Sequence, residues 1–264
     1  MKRNRLFYIP GLFGSPHELD FLKGTYTDIS GLDYLSYALE ELDGDFLTKE
    51  VLRELNKWRP DIIYAYSMGG RILLNILNKD EKFLHFKPKL IILESVGLFP
   101  LKGVEREKRL AQDHKRSEEI ECNFENFIKA WYSLPIWQFS KEEYEQIWKQ
   151  KNSLFSKNPA ILKKWSKIIR ELSPGRFPKD PSNFDIPALS LSKIFDRFPQ
   201  IHYFAGEKDE RYFDIAKRLI EILGKSKDHD KPYDRIHLFS EGGHNLHFQL
   251  PEDISLTLKN IESR

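Results

Sequence analysis

The stretch YAYSMGGRILL, residues 64–74, places a serine between an apolar segment and a helical one. A serine at a sharp turn from strand to helix needs small residues two positions before and after it, because the turn brings the flanking backbones together. Ala65 and Gly69 meet this need, and the amide of Met68 would face any anion that forms beside Ser67 Oγ. The stretch therefore predicts a nucleophile turn, with an ordinary helix N-cap serine as the alternative.

Apolar segments of strand length occur on both sides of this turn. Short apolar runs bounded by turn or charged residues are typical of buried parallel strands. Such runs lie at residues 5–10, 61–67, 88–95, 200–207 and 234–241. Helical patterns follow several of them, at residues 69–78, 211–224 and 250–261. This alternation predicts an α/β fold with a mostly parallel central sheet flanked by helices.

The alternation stops between Val96 and Pro187. The middle segment is charged, aromatic and helical in pattern, and it contains four of the five tryptophans, namely Trp131, Trp137, Trp148 and Trp165. We expect a helical cap inserted over the sheet, which is a candidate lid. The chain would then consist of a first core part at 1–96, a cap at 97–187 and a second core part at 188–264.

Two later segments offer the partners that serine chemistry requires. A reactive serine needs an imidazole as base, and the imidazole needs a carboxylate to orient it. Asp209 and His244 each follow a predicted strand, and the loops after parallel strands gather at one edge of the sheet. Asp209 alone could be a helix N-cap, and single surface histidines are common. The ordered set of Ser67, Asp209 and His244 favours a catalytic triad.

A glycine-containing segment, IPGLFGS at residues 9–15, follows the first predicted strand. Its irregular backbone could direct the amide of Leu12 toward the same anion as the amide of Met68, forming an oxyanion hole. A tight turn without that role is the alternative. His244 and His247 would share one face of a helix, but no third ligand cluster accompanies them, so we expect no metal site.

The composition argues against several classes of partner. The 42 lysines and arginines nearly balance the 40 aspartates and glutamates, and the net charge of +2 indicates neither nucleic-acid nor membrane binding. No apolar run approaches the roughly 18 residues of a membrane span, and the first residues do not resemble a signal peptide, so we expect a cytoplasmic protein. The single cysteine, Cys122, excludes an internal disulfide, and we expect it to pack in the interior. The oligomeric state is not predicted.

Five motifs in order resemble those of the α/β-hydrolase superfamily and, more narrowly, of the 2-succinyl-6-hydroxy-2,4-cyclohexadiene-1-carboxylate synthases of menaquinone biosynthesis. These motifs are YSMGGR (66–71), EREKRLAQD (105–113), FIKAWYSLPIW (127–137), GEKDERY (206–212) and GHNLH (243–247). The resemblance covers most of the chain. It implies an α/β-hydrolase fold and a lyase that eliminates pyruvate from 2-succinyl-5-enolpyruvyl-6-hydroxy-3-cyclohexene-1-carboxylate without metal or organic cofactor. The alternatives are an ester or thioester hydrolase on the same triad and a non-catalytic binding module.

The substrate that the resemblance implies is a small polycarboxylate, and guanidinium groups bind carboxylates in a bidentate manner. Arg71 lies one helical turn beyond the serine, and Arg106 and Arg109 would share one face of a helix. A solvated charged face is an equal alternative for Arg106. Trp131 and Tyr132 could wall the pocket, although aromatic residues of a cap are more often core.

Overall fold

A six-stranded parallel sheet forms the centre of the molecule. The computed structural model describes residues 4–78, 84–176, 188–198, 200–224 and 232–263. The strands within them are β1 (Arg5–Ile9), β2 (Asp28–Gly31), β3 (Ile62–Tyr66), β4 (Leu90–Glu94), β5 (Ile201–Gly206) and β6 (Ile236–Phe239). Their order is β2-β1-β3-β4-β5-β6, and every neighbouring pair is parallel. The predicted mostly parallel sheet is confirmed, with β2 as an additional short strand.

Helices connect the strands and cover both faces of the sheet. Those in the described residues are α1 (Gly44–Trp58), α2 (Met68–Leu77), α3 (Gly103–Cys122), α4 (Phe124–Tyr132), α5 (Lys141–Phe155), α6 (Pro159–Glu171), α7 (Ala188–Arg197), α8 (Glu210–Gly224), α9 (Leu246–Gln249) and α10 (Pro251–Glu262). The three helices expected from sequence correspond to α2, α8 and α10. The helices α1, α7 and α9 were not predicted from the sequence.

Burial on two sides explains why the central strands are continuous apolar runs. All residues of β3 and β4 are buried. Alternate residues of β3 contribute to two separate clusters, with Ile63 and Ala65 in one and Ile62, Tyr64 and Tyr66 in the other. A parallel sheet covered by helices on both faces requires this pattern, because successive side chains point to opposite faces.

The helices α3 to α6 follow β4 and form the cap. An aromatic cluster attaches them to the core, because the ring of Phe13, which follows β1, lies 5.1 Å from that of Trp165 and 5.8 Å from that of Phe127. Trp165 is fully buried. The predicted end of the cap at residue 187 and the segment 177–187 lie outside the described residues. The three-part division of the chain stays a prediction.

One residue on the surface of the cap, Cys122, differs from its prediction. Cys122 is exposed, so the prediction that it packs in the interior is wrong. It is the last residue of α3, and this long helix buries only a few positions, among them Asp113, Ser117 and Ile120. Separately, none of the helices in the described ranges is both long and apolar enough to cross a bilayer.

Candidate active site

Ser67 is the single residue between β3 and α2, and its backbone is strained. Its φ of 48° and ψ of −107° lie where non-glycine residues are rare. Gly69 makes the turn possible, because a Cβ there would lie 2.2 Å from the carbonyl oxygen of Ile9. The Ser67 side chain makes no capping hydrogen bond to α2. The hydroxyl is therefore available for other partners, and the simple N-cap interpretation does not describe it.

The structure brings the three predicted triad residues into one chain of contacts. Ser67 Oγ lies 3.0 Å from His244 Nε2, and His244 Nδ1 lies 2.8 Å from Asp209 Oδ2. An ionised carboxylate only accepts hydrogen bonds, so the Nδ1–H of His244 faces Asp209, and in this tautomer Nε2 is the acceptor that faces the serine hydroxyl. Asp209 Oδ1 also accepts from the amide of Tyr212 at 3.4 Å, near the start of α8. Asp209 thus serves as helix cap and as histidine partner.

The cap contacts the loop that carries His244. The amide of His244 donates to the carbonyl of Ile136 at 3.0 Å. The imidazole centroid lies 5.2 Å from the ring of Trp137 and 4.5 Å from the ring of Tyr212. A Cβ at Gly243 would lie 2.1 Å from the carbonyl oxygen of Trp137, so the approach requires glycine. The position of the imidazole is therefore coupled to the position of the cap.

A cavity of about 260 Å³ lies between the triad and the cap. Of the residues singled out from sequence, those that line it are Leu12, Ser67, Met68, Arg71, Arg109, Trp131 and His244. Three others do not line it, and one of them, Asp209, is buried where it pairs with His244. Arg106 is partly buried elsewhere on α3, and Tyr132 is buried with its ring 5.1 Å from that of Trp137. The proposed binding set is therefore reduced to Arg71, Arg109 and Trp131.

Three further charged residues, Asp113, Arg116 and Arg211, line the cavity and were not predicted from the sequence to do so. Asp113, only 1% exposed, accepts from Arg109 Nε at 2.7 Å and from Arg116 Nη1 at 3.0 Å. Arg211, two residues beyond the triad aspartate, lines the cavity as well. The spacing of residues 109, 113 and 116 on one helix was a usable signal, because side chains three and four positions apart are neighbours.

The arginines give the cavity a net positive charge. Arg71 Nη1 donates to the carbonyl of Leu172 at 2.7 Å. Burial, and next the charge of Arg109, lower the pKa of Arg71 to about 10, so the group stays protonated at neutral pH. Burial also lowers the pKa of Arg116, and Asp113 offsets part of this effect. Four of the side chains that line the cavity carry a guanidinium group, namely Arg71, Arg109, Arg116 and Arg211. One carries a carboxylate, that of Asp113.

The second histidine of the GHNLH motif has a different partner. His247 Nδ1 lies 2.8 Å from Glu94 Oε2, and both side chains are buried. Over the described part of the chain, no group of three or more His, Cys, Asp or Glu side chains is arranged to hold a metal ion.

Comparisons with known proteins identify the fold. No protein-family model matches the sequence. The structure resembles that of MenH from S. aureus with a TM-score of 0.75, at 21% identity, covering 98% of this chain and 93% of that one. It resembles an esterase, EaEST, from Exiguobacterium antarcticum with a TM-score of 0.63, at 15% identity, covering 98% of this chain and 92% of that one. The chain has the α/β-hydrolase fold, as expected from its motifs.

A curated relative shares sequence as well. "Protein PHYLLO, chloroplastic" of Arabidopsis thaliana is 28% identical over 214 residues, which cover 76% of this chain. The match spans only 11% of the length of that relative.

Proposed function

We propose that this chain is a cofactor-independent lyase that eliminates pyruvate from 2-succinyl-5-enolpyruvyl-6-hydroxy-3-cyclohexene-1-carboxylate in menaquinone biosynthesis. The observation that carries the proposal is the combination of the Ser67–His244–Asp209 contacts with a cavity lined by four arginines. A generic hydrolase needs the triad alone, whereas a substrate with several carboxylates needs cations around it. The likeness to MenH and the order of the five motifs support the same assignment.

The triad would act as a base in this reaction. Ser67 gives its proton to His244 and removes the carbon-bound proton of the substrate, and Asp209 stabilises the imidazolium. The electron pair of the broken C–H bond forms a new double bond in the ring, and the ring double bond already present shifts toward the carbon that bears the enolpyruvyl group. The C–O bond to that group then breaks, and its electron pair leaves with the enolate oxygen. His244 then returns a proton to the departing enolate, which leaves as pyruvate. No bond to the enzyme forms.

Backbone amides and arginines would bind the charged parts of the substrate. The amides of Leu12 and Met68 stabilise the oxyanion that develops as the proton leaves. Arg71 and Arg109 bind carboxylates of the substrate through paired N–H groups, and Trp131 forms an apolar wall above them. One carboxylate in the cavity, that of Asp113, keeps Arg109 oriented.

A direct assay tests the proposal. The purified protein is mixed with the enolpyruvyl precursor, and pyruvate is followed by coupling to lactate dehydrogenase and NADH oxidation. We expect release well above the spontaneous rate, and a loss of at least about 10²-fold in Ser67→Ala, because a positioned base typically contributes 10²–10⁴-fold. A wild-type rate equal to the spontaneous rate would reject the lyase assignment.

A second candidate is an ester or thioester hydrolase on the same triad. It is favoured by the likeness to the esterase EaEST and by the 3.0 Å contact of Ser67 Oγ with an imidazole nitrogen, which also suits nucleophilic attack. Hydrolysis proceeds through an acyl-enzyme, so a panel of p-nitrophenyl and acyl-CoA esters should give burst kinetics. Turnover of these esters without pyruvate release would favour the hydrolase.

A further inference from the structure

A buried ion pair connects the cap to the segment before the triad, and the proposed reaction does not use it. Lys151 lies on α5 and is only 4% exposed. Its Nζ donates to Glu18 Oε1 at 2.8 Å and to the carbonyl oxygen of Phe13, also at 2.8 Å. Burying an ammonium group is costly unless it is paired and hydrogen-bonded, and here it has both kinds of partner.

The pair continues into a network behind the triad. Glu18 Oε2 accepts from Tyr8 Oη at 3.0 Å, and Tyr8 Oη lies 3.4 Å from His247 Nε2. His247 in turn pairs with Glu94. Burial opposes the charge on Glu18, but Lys151 and His247 outweigh it and lower the pKa of the carboxyl. With His247 protonated, the network holds two cations and two carboxylates, which balances the buried charge.

Phe13 belongs to the oxyanion loop, which we define as residues 10–14. Its φ of 60° places a fully buried aromatic residue in the left-handed region. Such conformations persist only where the surroundings hold them, and they occur at functional sites. The loop is closed by a hydrogen bond from the Gly14 amide to the Gly11 carbonyl at 3.1 Å, and Tyr34 Oη donates to the carbonyl of Pro10 at 2.7 Å. The hydrogen bond from Lys151 of α5 to the carbonyl of Phe13 is a polar contact between the cap and this loop.

We propose that Lys151 is a positioning residue for the oxyanion loop. By holding the carbonyl of Phe13, it keeps the amide of the preceding residue, Leu12, directed at the cavity beside Ser67. The loop passes close to the serine, because a Cβ on Gly11 would lie 3.5 Å from Ser67 Cβ. This inference rests on the proposed function in one respect, the role of the Leu12 amide as an oxyanion donor. It makes the cap a part of the anion-stabilising apparatus rather than a cover alone.

The same helix provides a matched control. Lys149 lies two residues before Lys151, but its side chain is 61% exposed and pairs with Glu145 on the surface. Lys149→Met and Lys151→Met therefore remove the same charge from the same helix. Only the second removes the hydrogen bond to Phe13.

Two measurements independent of the natural substrate test the proposal. The first is hydrogen exchange of the amides in residues 11–14, followed by mass spectrometry. The second is the rate at which a fluorophosphonate labels Ser67, which depends on stabilisation of the phosphoryl oxygen by the oxyanion donors. In Lys151→Met we expect faster exchange in the loop and labelling slower by about 10²-fold, the typical cost of a 1 Å misplacement in an active site. Lys149→Met should match wild type, and Lys151→Arg should recover part of the rate.

Each outcome decides the proposal. Wild-type exchange and labelling in a folded Lys151→Met would overturn it, as would equal effects of Lys149→Met and Lys151→Met. If Lys151→Met does not fold, the double variant Lys151→Met/Glu18→Gln is used instead, because it removes the same hydrogen bond to Phe13 without leaving an unpaired buried carboxylate. Unchanged exchange in its loop has the same meaning. If Ser67 does not react with the probe, hydrogen exchange decides. Absence of pyruvate release together with the expected exchange pattern would reject the lyase and leave the positioning role intact.

Discussion

Replacing Arg71 by methionine tests the proposed carboxylate recognition separately from the proposed chemistry of Ser67 and His244. The guanidinium of Arg71 lines the cavity and donates to the carbonyl of Leu172, whereas the contact of Arg71 with Ser67 is made by the backbone, through its amide and the Ser67 carbonyl at 3.3 Å. Methionine fills a similar volume but carries no charge. We therefore expect the substitution to weaken binding of a carboxylate substrate while Ser67 and His244 keep their contact.

The energy of a hydrogen bond to a charged group gives the expected size of this effect. A hydrogen bond to a charged group contributes about 1.5–3 kcal/mol, and about 1.36 kcal/mol corresponds to tenfold in rate. The specificity constant kcat/KM for pyruvate release should therefore fall by about 10- to 150-fold in Arg71→Met. The carbonyl of Leu172 also loses its donor, at a cost of about 1–3 kcal/mol in the free energy of unfolding. Activity is therefore measured well below the Tm of the variant.

Arg106→Met is the control. Arg106 lies on α3, three residues before Arg109, but does not line the cavity. We expect its kcat/KM to stay within about twofold of wild type, as for surface substitutions that change the free energy by less than about 0.5 kcal/mol. Equal losses in Arg71→Met and Arg106→Met, or no loss in either, would refute the assignment of Arg71 to carboxylate binding.

Two stability predictions follow from the same region. Gly69→Ala should lower the free energy of unfolding in urea by about 1–3 kcal/mol, because the methyl group meets backbone oxygens that cannot move aside. Gly24→Ala, whose Cβ has nothing within 4 Å, is the control, and equal stability of the two variants would contradict this. Burial opposes the charge on His247, but Glu94 outweighs it and raises the pKa. The contribution of the His247–Glu94 pair to the free energy of unfolding is therefore fully present below the unfolded pKa of about 6.5. It is lost as the pH rises through the higher pKa of the folded state. Stability should decline over that range, and His247→Gln should lack this part of the decline; identical slopes would argue against it.

Local patterns were sufficient to predict the sheet and the serine turn. Buried parallel strands are continuous apolar runs, so five of the six strands were visible in the sequence. The exception, β2, has the sequence DISG, which is short and half polar. A strand at the edge of a sheet needs no long apolar run, and the pattern therefore carried no signal for it. The steric requirement for Ala65 and Gly69 around Ser67 is also local, and it appears directly in the residue types.

The lining of the cavity and the buried ion pair of Lys151 and Glu18 depend on contacts between distant parts of the chain. Lys151 and Glu18 are 133 residues apart, and nothing in either segment indicates the other. Similarly, residue type and spacing predicted that both Arg106 and Arg109 could line the cavity. Only the packing of α3 decided that Arg109 does so and Arg106 does not. The sequence by itself determined the layered fold, the turn at Ser67 and the order of the triad, because sterics and hydrophobic periodicity act over a few residues. The tertiary structure decided which cations surround the site, because a side chain reaches a cavity only through the packing of whole helices against one another.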